Sequence, residues 1–314
     1  MTTTRNETAG LVAQVAGWVD DLAEHARAAQ LIDRLGDAAI PALRDYLGRG
    51  PQSIPQARCF AVERLAQRLG AEATNALREI FRMHPWHSQP AAFVQAEYVV
   101  KSDLLKVLAA RSYPEFVADL RYGVQQRLRV AVCLVGERRA IGLARFLVDA
   151  LDDDVLAADA GAALVVLGPD VRGIVETRLG QCLDHEAAGV AARLTAIRAL
   201  RVLRHLATDV PPELLQRAKA SKVPAVRAAA ALVSTLAPLR AAEVEGLLGG
   251  ALSFDRELAE ACRAVLADVG EPLRPALERA LARDTEPDLY GVPRPLSGEQ
   301  RHWLVTRLRQ LPTV

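Results

Sequence analysis

Apolar residues along this chain recur three and four positions apart, and short glycine-bearing joints interrupt them at regular intervals. That period places the apolar positions on one face of a helix. With Gly36, Gly70, Gly136, Gly168 and Gly270 each set to zero, the position before holds Leu35, Leu69, Val135, Leu167 and Val269. Four before stand Ile32, Ala66, Val132, Leu164 and Leu266, and five before stand Leu31, Leu65, Ala131, Ala163 and Val265. Eight before stand Ala28, Val62, Leu128, Ala160 and Cys262. A second apolar face follows each joint: Leu43, Leu77, Leu143, Val175 and Leu277 at seven after, then Leu47, Phe81, Leu147, Leu179 and Leu281 at eleven after.

The pattern predicts helix, joint, helix. Glycine suits the joint because it adopts a left-handed backbone without a Cβ clash. Asp37, Glu137, Pro169 and Glu271 suit the start of the helix that follows. Ala109, Ala207 and Ala237 anchor three further units, the first the weakest because Lys101 falls on an apolar position. The eight anchors are spaced 27 to 39 residues apart. This predicts an all-α chain, an α-solenoid of about eight antiparallel helix pairs wound into a right-handed superhelix.

Val226-Arg227-Ala228-Ala229-Ala230, Leu167-Gly168-Pro169 and Ile40-Pro41-Ala42-Leu43 resemble HEAT-like repeats, in particular the short bacterial kind named after phycobilisome lyases. The resemblance spans about residues 26 to 284. It implies a fold and no single activity, since such repeats serve many roles. His185-Glu186 is similar to the His-Glu pairs with which HEAT-like deoxyhypusine hydroxylases hold iron, but it is the one such pair in the chain. HEAT-like DNA glycosylases share the helix-pair architecture and use Trp and Asp in a basic cleft; Trp18, Trp86 and Trp303 lie far apart here.

Organisation follows from where the period fails. Residues 1–25 are expected to hold a capping helix with Leu11, Val15, Trp18, Val19 and Leu22 on one side, and 26–284 the repeats. Residues 285–298, with three Pro and two Gly, are expected to be an irregular loop, and 299–314 a capping or docking helix. The segment Met1 to Ala9 is polar and no apolar run reaches membrane-spanning length, so a cytoplasmic protein without a membrane partner is expected. Cys59, Cys133, Cys182 and Cys262 are scattered and read as free thiols.

Composition narrows the function. A formal charge of +1 with 25% charged residues argues against a protein whose main task is coating nucleic acid. The basic residues are nearly all arginine, a bias whose plainest source is genomic base composition. No phosphate-binding glycine loop, G-x-S-x-G elbow or H-E-x-x-H occurs, so no catalytic residue, metal site or cofactor is assigned.

Two features are candidate partner-binding sites. His84, Trp86 and His87 form an aromatic-centred stretch in the loop 83–90, where the anchor spacing stretches to 39 residues. Arg44, Arg78, Arg145, Arg178 and Arg279 recur eight to ten residues after their anchors, on the second helix of each pair. Interleaved Asp45, Glu79, Glu176 and Glu278 would neutralise such a stripe. The expected function is a non-enzymatic scaffold that binds another protein. The alternative is nucleic-acid binding, or a glycosylase-like protein, using the arginine-bearing surface.

Overall fold

A computed structural model describes residues 17, 19, 21–48, 55–83, 91–185, 189–206, 210–234, 241–253, 255–267, 269–270, 273–287 and 293–311. The fold is all-α, and the chain divides into two compact units, Met1–Phe146 and Leu147–Val314. Among the described residues no helix is long and apolar enough to cross a membrane.

The first unit contains α1 (His25–Leu35), α2 (Ile40–Gly48), α3 (Pro55–Ala66), α4 (Ala71–Arg82), α5 (Ala91–Ala109), α6 (Phe116–Gln125) and α7 (Arg129–Glu137). The helix α8 (Ala144–Ala150) carries the division between the units. The second unit continues with α9 (Ala157–Leu167), α10 (Arg172–Asp184), α11 (Val190–His205), α12 (Pro212–Lys219), α13 (Pro224–Val233), α14 (Ala241–Ala251), α15 (Arg256–Ala267) and α16 (Arg274–Arg283). The strands β1 (Thr285–Pro287) and β2 (Pro293–Pro295) and the helix α17 (Gly298–Gln310) complete it. Neighbouring helices pack together, and so do helices one apart: α1 on α3, α2 on α4, α3 on α5 and α5 on α7 in the first unit. In the second, α9 packs on α11, α10 on α12, α11 on α13, α13 on α15 and α14 on α16.

The apolar register becomes the core. Leu43, Leu77, Leu143, Val175 and Leu277, seven after their anchors, are all buried, as are Ala28, Val62, Leu128, Ala160 and Cys262, eight before. Each of the leucines and valines among them, removed from water, contributes about 1.5–3 kcal/mol. Ala207 and Ala237 lie outside the described residues, but Leu203, Leu232 and Leu248 of their units are buried.

The joints vary more than the sequence suggests. Gly36 and Gly168 do take positive φ, +58° and +84°, and each is followed by a 3-10 turn, Gly36–Ala39 or Pro169–Val171. Gly70 has φ −69°, an ordinary extended start to α4, and Leu69 before it is 89% exposed. Gly136 is no joint at all: it is buried inside α7, which runs on to Glu137. There Arg139 takes the left-handed position, φ +49°, and the amides of Ala140 and Arg139 bond to the carbonyls of Val135 and Gly136 at 3.0 Å each. That is the Schellman pattern, displaced two or three residues from the glycine. Arg127, φ +59°, ends α6 in the same way.

Arginines end several helices across the stack. Arg68 donates to the carbonyl of Ile32 at 2.8 Å near the end of α1. Arg111 donates to Ala66 and Arg68 at 2.9 and 2.7 Å beyond α3, and Arg138 to Ala109 at the end of α5. Arg307 of α17 donates to Leu266, Ala267 and Val269 at 3.0, 2.6 and 3.0 Å, closing α15. These guanidiniums donate to carbonyls at or just beyond helix ends, and their charge suits the negative end of the dipole.

Residues 285–298 are not an irregular loop throughout. Thr285 faces Pro295, Glu286 faces Arg294 and Pro287 faces Pro293 in an antiparallel pair. The prolines that forbid a helix are compatible with a short edge strand. The helix α17 then starts at a capping box: Ser297 Oγ accepts from the Gln300 amide at 3.2 Å and Gln300 Oε1 accepts from the Ser297 amide at 2.7 Å. It packs on α16, with Leu304 fully buried.

Candidate functional site

His84, Trp86 and His87 lie outside the described residues. The five arginines of the stripe do fall on the helices that follow the joints, and four are engaged by carboxylates. Arg44 is paired with Asp45 at 3.4 Å and Glu79 at 3.9 Å. Arg78 binds Asp119 at 2.8 Å and Glu115 at 3.4 Å; Arg178 binds Asp152; Arg279 binds Glu245. All of these acids but Asp45 lie 26 to 41 positions away, and Glu176 instead takes Arg172 at 2.6 Å. Arg145 is exposed, with no carboxylate partner among the described residues.

Two polar groups in the first unit are deeply buried. Asp119 is fully buried and accepts from Arg78 Nε at 2.8 Å, Arg82 Nε at 2.7 Å and the Tyr113 hydroxyl at 3.0 Å. Burial and the adjacent carboxylate push the Tyr113 phenol above its usual range. Arg58 and Glu97 form an ion pair, both at 2% exposure or less, with Arg58 also donating to the Leu47 carbonyl at 3.3 Å.

Lys101, the residue that broke the apolar register, sits beside this pair. Its ammonium donates to the carbonyls of Ile80 at 2.9 Å, Phe81 at 2.6 Å and Met83, and lies 4.0 Å from Glu97. The Tyr122 hydroxyl donates to Arg82 at 3.3 Å, so side chains from α5 and α6 cap the end of α4. Burial lowers the Lys101 ammonium to about 8, against the opposing pull of Glu97. These groups are spent on structure, and each has partners that fix it.

The second unit contains a cleft of about 500 Å³ between α9 and α11. Ala157, Ala158, Gly161, Ala162 and Val165 of α9 supply its floor, with Leu194 and Val202 of α11 opposite. Small side chains on α9 leave the groove open, because four of its five lining residues there are Ala or Gly. Arg198 and Arg201 stand on its rim. Arg198 donates to the Leu151 carbonyl at 2.7 Å and to Asp154 at 2.6 Å, and Arg201 donates to Asp255 at 2.8 Å. Asp255 also caps α15 by accepting from the Leu258 amide at 3.1 Å. His205 completes the rim, exposed to solvent. Such a groove offers apolar contact with fixed, charge-balanced edges. The signal in the sequence is the composition of α9, apolar on nearly every side, whose exposed positions are Ala158, Ala162 and Val166.

A second cavity, about 460 Å³, gathers Asp152, Arg178, Cys182, His185 and Thr195. Thr195 donates to Asp152 at 2.7 Å, and His185 Nδ1 bonds the Gln181 carbonyl at 2.9 Å. Burial raises the Cys182 thiol, which keeps it protonated rather than an activated thiolate. Glu186 lies outside the described residues, and among those described no three His, Cys, Asp or Glu side chains gather as a metal site requires. No family model matches the chain, and no curated protein matches it.

Proposed function

We propose that the chain is a non-enzymatic scaffold, a solenoid of HEAT-like helix pairs that holds a segment of a protein partner. The observation that carries this reading is the α9–α11 cleft: an apolar floor of small residues between arginines already bound by Asp154 and Asp255. A groove of that kind receives side chains of a peptide or helix by apolar burial, and the rim pairs fix its width. The packing of helices on their neighbours and on those one apart supports the solenoid, as do the arginines that reach from one helix to end another. A stacked scaffold binds at little cost in ordering, because its surface is set before the partner arrives.

The test uses the tagged full-length chain recovered after cross-linking in its own cells, with nuclease treatment. Wild type is expected to bring down a single protein near one to one, and Ala162→Trp, which fills the cleft from an exposed position, to lose it with helicity unchanged. Recovery of the same protein by Ala162→Trp would remove the cleft from the reading. Recovery of no protein would remove the scaffold itself.

A further inference from the structure

The first unit has an arginine-rich stretch in which four exposed guanidiniums have no carboxylate partner among the described residues. From Arg121 to Phe146 the sequence holds six arginines against Glu137 alone, a formal +5 in a chain that totals +1. Arg121, Arg138, Arg139 and Arg145 are all exposed, and none of the four has a carboxylate partner among the described residues. Elsewhere Arg44, Arg78, Arg178 and Arg279 each have one.

Three observations make this more than a count. Arg121 stacks over the Phe146 ring at 5.0 Å and Arg138 over Phe116 at 5.8 Å. These contacts bring α6, the α7–α8 joint and the start of α8 together and brace two guanidiniums, of which Arg138 also donates to the Ala109 carbonyl and Arg121 keeps its edge toward solvent. Val117 and Ile141 are 51% and 44% exposed, and each stands four residues before an exposed arginine, Arg121 or Arg145. Finally, Arg139 holds a left-handed backbone, φ +49°, where glycine would be unstrained. Strain of this kind persists where a side chain is needed.

We propose that this face docks an acidic amphipathic segment of a partner protein, its carboxylates on Arg121, Arg138, Arg139 and Arg145 and its apolar side chains on Val117 and Ile141. The inference rests on the scaffold reading and names the chemistry of the partner. Charge complementarity selects an anion, and planar guanidiniums bind carboxylates through paired hydrogen bonds. The exposed valine and isoleucine favour a peptide over nucleic acid, since a phosphate backbone gives them nothing to cover.

The experiment titrates the full-length chain against a labelled helical peptide of glutamate with leucine at every third and fourth position. The comparison probes are the same peptide with serine for leucine, and a duplex oligonucleotide. Wild type is expected to prefer the leucine peptide by about tenfold. Arg121→Glu with Arg145→Glu should abolish binding. Val117→Ser with Ile141→Ser should weaken it about tenfold while keeping its salt dependence. Arg139→Gly should raise the melting midpoint and lower affinity, a pairing that a purely structural arginine would not give. Peptide affinity unchanged by the double charge reversal would overturn the proposal, as would no binding by wild type. Tighter duplex binding, indifferent to Val117→Ser with Ile141→Ser, would assign the face to nucleic acid. Cellular capture that survives the charge reversal but not Ala162→Trp would sink this face and leave the scaffold standing. Peptide binding without any captured cellular protein would do the reverse.

Discussion

The α9–α11 cleft and the α6–α8 face both present arginines, but the two regions use them differently. In the cleft, Arg198 and Arg201 are held by Asp154 and Asp255, and the groove between them is apolar and nearly neutral. On the face, Arg121 and Arg138 rest on aromatic rings and no described carboxylate answers them. A count of arginines does not separate the two. What separates them is where the acids fall, and those acids lie 44 and 54 positions from their arginines in the cleft. The first region is apolar with paired charges at its rim; the second carries charge that no described carboxylate pairs.

The comparison is sharpest where an ion pair has no water to fall back on. Glu97→Ala strands Arg58 and Lys101 in the core and should lower stability by about 3–5 kcal/mol, read from the urea midpoint. Arg145→Ala on the exposed face should change the same midpoint by less than about 0.5 kcal/mol. Equal effects would erase the distinction between buried and exposed pairing.

Next in size is a pH effect. Lys101 titrates near 8 in the folded chain, below its ordinary 10.5. Between those values the unfolded chain binds more protons, so the contribution through Lys101 rises with pH; below about 8 it is flat and at its lowest. The difference in stability between wild type and Lys101→Met should therefore move in favour of wild type as pH climbs from 8 to 10.5. A difference that stays constant over that window would show that the ammonium keeps an ordinary affinity for its proton.

Asp255→Ala removes both the partner of Arg201 and the cap of α15, a loss of about 1–2 kcal/mol. Asp154, 79% exposed, offers the smallest change: Asp154→Asn should leave stability within about 0.5 kcal/mol. It should nevertheless release Arg198 and give the cleft a measurable affinity for the glutamate–leucine peptide. If it does not, the pairing is not what keeps the cleft neutral.

Much of the helical fold was legible because it is local. The offsets that bury Leu43, Leu77, Leu143, Val175 and Leu277 follow from one helical period, and the structure keeps them. The joints were less legible, because a helix can overrun its glycine: Gly136 is buried in α7, and Arg139 turns the chain instead. Lys101 looked like a flaw in the weakest unit and proved to be a cap for α4, a role set by carbonyls 18 to 21 positions earlier. The candidate surfaces were half legible. The stripe located Arg145, but nothing local showed that Arg78 would be claimed by Asp119 and Arg145 by no described acid. The arrangement about His84, Trp86 and His87 lies outside the described residues.

The arginines that end helices across the stack also constrain how the chain can be made and cut. A helix emerging from the ribosome leaves its last carbonyls largely to water until later sequence arrives. The end of α3 waits for Arg111, more than forty positions on, and the end of α15 waits for Arg307. A chain truncated just after any such helix frays at its new terminus, however good the remaining core. Deleting one whole unit and splicing its neighbours re-supplies the missing donor. Lengths of this protein that stop at a unit's far donor should therefore fold as units, and those that stop short of it should not.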